Sequence, residues 1–313
     1  MMKNIRIIYL FMLSLWAFTA CNGSSEQGNT HTEKLSVVHK LGTTDVPLSP
    51  EKIVVLDIGA LETLHELAIM PVGIPKKFLP NYLDGLKDDE KIADVGSVIE
   101  PNFEAISALN PDLILISTRQ EKFYKELSDI APTVFIGTDS KDYLNSFREQ
   151  TLLLGRIVGK ELQAQGKLDS LLKFVAVEQT KFDANQGKAM FLIYNNGRYS
   201  AFGKGSRFGF IHDVLHLKPV MDFDDESVHG QKVSSELIAK ANPDYLFIVD
   251  RNAAVLGKVA NKDEMENPLV KQTHAFKNNK IFYLDPNVWF ISGGGLTSVR
   301  LMVQDIEALK LNP

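Results

Sequence analysis

Arginine is scarce in this chain, with eight copies against 26 lysines, and three of them stand where they could do chemistry. Arg119 follows Asn110 by nine residues, and Arg251 follows Asn242 by nine, within two segments that repeat one another. Residues 101–118 read PNFEAISALNPDLILIST, and residues 233–250 read VSSELIAKANPDYLFIVD. Arg207 lies in the glycine-flanked loop SAFGKGSRFG. A guanidinium stays charged and presents a planar fork suited to oxyanions. Three of them converging would recognise an anion of several negative charges. At an effective dielectric near 20, each close pair contributes on the order of 3 kcal/mol before desolvation is subtracted.

The elements that must place these arginines can be read from the same repeat. In each copy a glutamate, Glu104 or Glu236, opens an amphipathic helical stretch, and Asn-Pro-Asp follows six residues after it. Proline ends the helix and turns the chain. The apolar run that comes next suits a parallel strand covered on both faces. Arg119 and Arg251 therefore fall just past the carboxyl ends of equivalent strands, where open α/β sheets hold their ligands. Between the halves, from about residue 144 to 183, runs a proline-free stretch of helical periodicity in which Gly155, Gly159 and Gly166 are candidate kinks. The expected fold class is α/β, with two Rossmann-like lobes joined by one long interlobe helix and a cleft between them. The expected boundaries are 35–143 for the first lobe, 144–183 for the interlobe helix and 184–313 for the second lobe.

Enzyme signatures fail one by one. Gly155 to Lys160 is one residue short of a phosphate-binding loop, and Glu161 replaces its Ser/Thr. Gly203 to Gly209 misses the dinucleotide fingerprint, and Ser206 is not set in a nucleophile elbow. His212 and His216 are four apart but have no third metal ligand in reach, so a helix surface is the expected place for them. Gly293-Gly294-Gly295 reads as a loop or a close backbone contact. No cofactor and no catalysis are expected. A net charge of -5 argues against nucleic acid, and a single cysteine excludes an internal disulfide.

That cysteine has another use. Lys3 and Arg6 precede an uncharged stretch from Ile7 to Ala20, and Cys21 follows at once. Residues 1–20 read as a signal peptide and 21–34 as a polar, flexible tether. The arrangement resembles a bacterial lipoprotein signal, which implies an acylated Cys21 and a protein anchored in the cell envelope, periplasmic or on the outer face of the cytoplasmic membrane.

The chain from about Leu35 to Leu311 resembles the iron–siderophore binding proteins of bacterial ABC importers, particularly the ferric enterochelin and petrobactin uptake lipoproteins. SAFGKGSRFGFIHDVL (200–215), Val228-His229-Gly230, NPDYLFIVDRN (242–252) and LDPNVWFISGGG (284–295) carry the likeness. The resemblance implies capture of an anionic ferric catecholate by a monomer and its delivery to an inner-membrane permease and ATPase. It implies that Arg119, Arg207 and Arg251 hold the catecholates, with Trp289 beside the cleft. Glu104 and Glu236 would dock the permease, and His229 would be an iron ligand. The family's tyrosine is missing, because residues 287–290 read Asn-Val-Trp-Phe, and this favours a hexadentate complex needing no protein ligand. Haem, cobalamin or a hydroxamate siderophore on the same scaffold is the alternative, and an envelope α/β enzyme a more distant one.

Overall fold

Each Asn-Pro-Asp sequence ends a helix, reverses the chain and pins the strand that follows. The computed structural model describes residues 34–77, 79–223 and 230–311. The expected signal peptide, Cys21 and His229 lie outside these residues, and of the expected tether only Lys34 is inside. The helices Phe103–Ala108 and Ser235–Ala241 begin at side-chain caps from Asn102 and Ser234, which satisfy an otherwise unpaired first-turn N–H. Asn110 and Asn242 take left-handed backbone, with φ of 45° and 49°. Asparagine tolerates this better than most non-glycine residues. Asp112 Oδ2 then accepts from the backbone N–H groups of Glu51 at 3.0 Å and Lys52 at 2.9 Å. Asp244 Oδ2 does the same for Lys188 at 2.9 Å. In both halves the aspartate fixes the chain entering the neighbouring strand.

Strands β1 (Lys34–His39) and β2 (Gly42–Pro47) form an antiparallel hairpin. The first lobe is a parallel sheet of β3 (Ile53–Val55), β4 (Gly73–Ile74), β5 (Ala93–Asp94), β6 (Leu113–Ile116) and β7 (Thr133–Phe135), ordered β5-β4-β3-β6-β7. The second contains β8 (Lys188–Asn195), β9 (Arg198–Phe202), β10 (Lys218–Pro219), β11 (Gln231–Val233), β12 (Tyr245–Asp250) and β13 (Ile281–Tyr283). Its order is β11-β9-β8-β12-β13, with β10 also on β8. Strands β8, β12 and β13 run parallel, whereas β9 is antiparallel to both β8 and β11. Every residue of β6 and β12 is buried, so both sequences are continuous apolar runs rather than alternating ones.

The stretch between the sheets is two helices rather than one. Tyr143–Ile157 ends in a turn at which Gly159 adopts φ +66°, and Glu161–Asp183 is the long helix. Gly155 lets the two approach, since a Cβ there would meet the Ala164 side chain at 2.5 Å. Gly166, with open space around it, lies within the long helix and breaks nothing. Leu168, Leu171, Val175 and Phe182 bury the inner face of that helix, each contributing roughly 1.5–3 kcal/mol of apolar transfer. Among the described residues no helix is long and apolar enough to cross a membrane.

Candidate functional site

The strand ends deliver the arginines to one place. Arg119 stands in the tight helical turn Thr118–Phe123 that follows β6, where the Ser117 N–H donates to Gln120 Oε1 at 3.0 Å. Arg251 opens the helix Arg251–Leu256 directly after β12. Asp250 holds that start, accepting from Asn252 N at 2.9 Å and from Ala260 N at 2.6 Å. Arg207 is carried by the loop after β9, in which Gly205 N donates to Asp213 Oδ2 at 2.7 Å and Ser206 Oγ to Gly203 O at 2.6 Å. All three surround Phe290. Arg119 Nη2 and Arg207 Nη2 each donate to its carbonyl oxygen at 3.2 Å. The guanidinium carbons of Arg119, Arg207 and Arg251 lie 5.9, 5.4 and 5.9 Å from its ring centroid. Phe208 stacks on the same ring at 6.0 Å and receives Arg207 at 4.7 Å.

This crowding is electrostatically unfavourable as it stands. Burial, then the charge of Arg119, pushes the Arg207 guanidinium down to about 9. Arg119 is also lowered, first by burial and then by Arg251, with Asp57 opposing. Asp57 is committed elsewhere as well, capping the helix Ile58–Glu66 through Ala60 N at 2.7 Å. Among the described residues none of the three arginines has an ion-pair partner within 4.0 Å. A cavity of about 600 Å³ opens beside them, lined by Arg198, Arg207, Lys232 and Arg251 together with Phe202 and Phe290, and among its lining residues there is no carboxylate. Such a volume suits a small ligand. Like charges held close with few counterions favour an arriving anion.

Two of the site expectations need correction. Trp289 does not line the cleft: it is 1% exposed, donates its indole N–H to Asp305 Oδ2 at 2.9 Å, and packs on Phe191 and Phe210. The segment Asn287–Ile291 is a π-helical turn, so neighbouring residues point different ways, and Phe290 takes the cleft position. His212 and His216 do not share a helix surface. His212 is buried with Nδ1 2.7 Å from Leu217 O, and His216 lies beyond its helix at φ 60°, paired with Asp183 at 2.8 Å. Burial pushes His212 down to about 4, which leaves it neutral. Among the described residues no group of three metal-ligating side chains comes together.

Glu104 and Glu236 are exposed in the first turns of the equivalent helices Phe103–Ala108 and Ser235–Ala241. Hydrogen bonds from Ser234 and its own backbone hold the Glu236 carboxyl below its usual range. Sequence reasoning missed Phe290, Phe208, Arg198 and Lys232. The alternation Arg198-Tyr199-Ser200-Ala201-Phe202 carries a usable signal, since every second residue of a strand shares a face. Lys232 is brought in by its register with Ser200 across β11 and β9, a pairing between distant segments that no local pattern reveals.

Comparison with known proteins assigns the chain to a family. The profile of the family described as periplasmic binding protein matches residues 53–288. The chain belongs to the periplasmic binding protein family. Within it, the chain is 40% identical over 314 residues to the petrobactin-binding protein YclQ of Bacillus subtilis, with 98% of each chain covered. It is 36% identical over 275 residues to the ferric-anguibactin-binding protein FatB of Vibrio anguillarum, covering 86% of this chain and 85% of that one. The crystal structure of YclQ superposes with a TM-score of 0.86 over 89% of this chain and 99% of the other. The catecholate-siderophore binding protein VctP of Vibrio cholerae, at 33% identity, gives 0.83 over 88% and 100%. The two-lobed α/β fold with a long connecting helix is that of these periplasmic binding proteins.

Proposed function

We propose that this periplasmic binding protein captures an anionic ferric siderophore of the catecholate type and delivers it to an inner-membrane ABC permease and its ATPase. The observation that carries the reading is the convergence of Arg119, Arg207 and Arg251 around Phe290, beside a cavity lined by cations and aromatic rings. A ferric tris-catecholate carries one net negative charge per catecholate and presents flat aromatic faces. Guanidinium groups answer the charge, and Phe290 and Phe208 offer ring surface. The names of YclQ, a petrobactin-binding protein, and FatB, a ferric-anguibactin-binding protein, support a siderophore ligand, and that of VctP, a catecholate-siderophore binding protein, supports the catecholate type. A neutral hydroxamate complex leaves the three charges uncompensated, so it fits less well.

In this reading the protein acts as a monomer held at the membrane by lipid on Cys21, Glu104 and Glu236 face the permease, and His229 is available to iron. Loss of fatty-acid labelling in Cys21→Ser tests the anchor. The ligand class is tested by titrating the purified protein with catecholate, hydroxamate and carboxylate ferric complexes. Tightest binding to the catecholate is expected, and tighter binding to a neutral complex contradicts the proposal.

A further inference from the structure

Glu62 is a carboxylate without exposure in the middle of the molecule. It sits on the helix Ile58–Glu66 of the first lobe, is 0% exposed, and among the described residues has no cation within ion-pair distance. Its partners come from both lobes. Tyr82 Oη donates to Oε1 at 2.7 Å, the Ser292 hydroxyl donates to the same oxygen, and Ser298 N donates to Oε2 at 2.7 Å. Ser292 directly follows the turn that presents Phe290, and Ser298 lies in the first turn of the helix Leu296–Ala308.

The surrounding backbone is packed so tightly that the contact is specific. A Cβ on Gly59 would meet the Gly294 carbonyl carbon at 2.6 Å, and one on Gly295 would meet Gly59 O at 2.4 Å. Tyr143 Oη donates to Gly293 O at 2.6 Å, closing the other side. A buried ionised group without a counterion is expensive. What a carboxylate does there that no neutral side chain can do is accept from all three donors at once.

We infer that Glu62 is a positioning residue of the ligand site: its ionised carboxylate holds segment 287–298 across the two lobes and so places the Phe290 carbonyl shared by Arg119 and Arg207. The inference rests on the anion-binding reading of those arginines. When Glu62 is protonated it must donate a hydrogen bond, and one of its three partners has to reverse or leave. Burial pushes Glu62 up to about 7, against the hydrogen bonds from Ser292, Ser298 and Tyr82, so the exchange falls near neutrality. The titratable groups around it do not compete. Burial holds Tyr82 and Tyr143 far above their usual range, and Lys167, at 2.6 Å, holds Glu66 below its own with a contribution from Arg300.

Trp289 reports on this segment, because the sequence has only one other tryptophan, Trp16. The full-length chain carrying Trp16→Phe is titrated without ligand from about pH 5.5 to about 8.5, following Trp289 emission, alongside Glu62→Gln and an Asp305→Asn control for the indole's own partner. A transition centred near pH 7 is expected in the parent and in Asp305→Asn, and none in Glu62→Gln. In a second arm at pH 8, a ferric hexadentate tris-catecholamide should bind about tenfold more weakly to Glu62→Gln, with partial recovery in Glu62→Asp. A transition that persists in Glu62→Gln, or unchanged affinity in that variant, overturns the inference. A parent that shows the transition yet binds no ferric catecholate overturns the proposed ligand while leaving the hold of Glu62 on the segment intact.

Discussion

Arg119 and Arg207 share one acceptor, the carbonyl oxygen of Phe290, each at 3.2 Å. One arginine comes from the end of β6 in the first lobe and the other from the loop after β9 in the second. A single peptide carbonyl therefore sets the spacing of two cations on separate sheets. Each guanidinium has five N–H donors, so the shared contact leaves most of them for a ligand. The loop bearing Phe290 is in turn tied to the first lobe through Ser292 and Glu62, which makes the seam between the lobes part of the site's construction.

Stability should carry the signature of Glu62. Its carboxyl is raised from 4.5 to about 7 in the folded protein, so between those values the folded state binds more protons than the unfolded one. Stability contributed by the protonated form is present at the acidic end and lost as pH rises through the window, by about 3 kcal/mol at most. Denaturant unfolding at a series of pH values should show this decline in the wild type and a flatter profile in Glu62→Gln. Parallel profiles contradict the assignment. A site that gives up stability to keep a buried charge is a common trade in functional regions.

Transport and binding should separate at Glu104 and Glu236. Both are exposed and sit in helix first turns, where a carboxylate is favoured by the helix dipole. Glu104→Ala combined with Glu236→Ala is expected to reduce iron uptake by cells while the affinity of the purified protein for ferric catecholate stays the same. An equal loss of affinity would instead move both residues into the ligand site.

Denticity offers a separate test. Residues 287–290 supply no tyrosine, and of the side chains singled out for iron only His229 has a coordinating atom. A hexadentate catecholate needs nothing from the protein, whereas a tetradentate one leaves two positions open, and a neutral imidazole fills one of them. His229→Ala should weaken the tetradentate complex alone and shift its charge-transfer band. Equal weakening of both complexes without a spectral change assigns His229 a packing role.

What could be read from the sequence was whatever local chemistry decides. Asn-Pro-Asp terminates a helix and anchors a strand by the conformational habits of three adjacent residues, so the repeat, the two β-strands after it and the placing of Arg119 and Arg251 followed directly. Orientation was harder. Trp289 and Phe290 are neighbours of similar character, and only the π-helical turn sends one inward to Asp305 and the other toward the arginines. The connecting stretch looked like one helix because its apolar periodicity runs past Gly159, whereas the left-handed turn there divides it. Nothing in the sequence marks Glu62, since glutamate is almost never fully buried. Its partners Ser292 and Ser298 lie more than 200 residues away, at separations of 230 and 236.

The most direct measurement is the affinity of a ferric tris-catecholate for the wild type and for Arg119→Ala, Arg207→Ala and Arg251→Ala, each at low and high salt. Removing one charged partner from a desolvated contact typically costs about 2–5 kcal/mol. Each variant is therefore expected to bind at least about tenfold more weakly, with a shallower salt dependence than the wild type because fewer charges are in play. Affinity that is indifferent to all three substitutions, or wild-type binding that salt does not weaken, contradicts the claim that this cluster is the anion site.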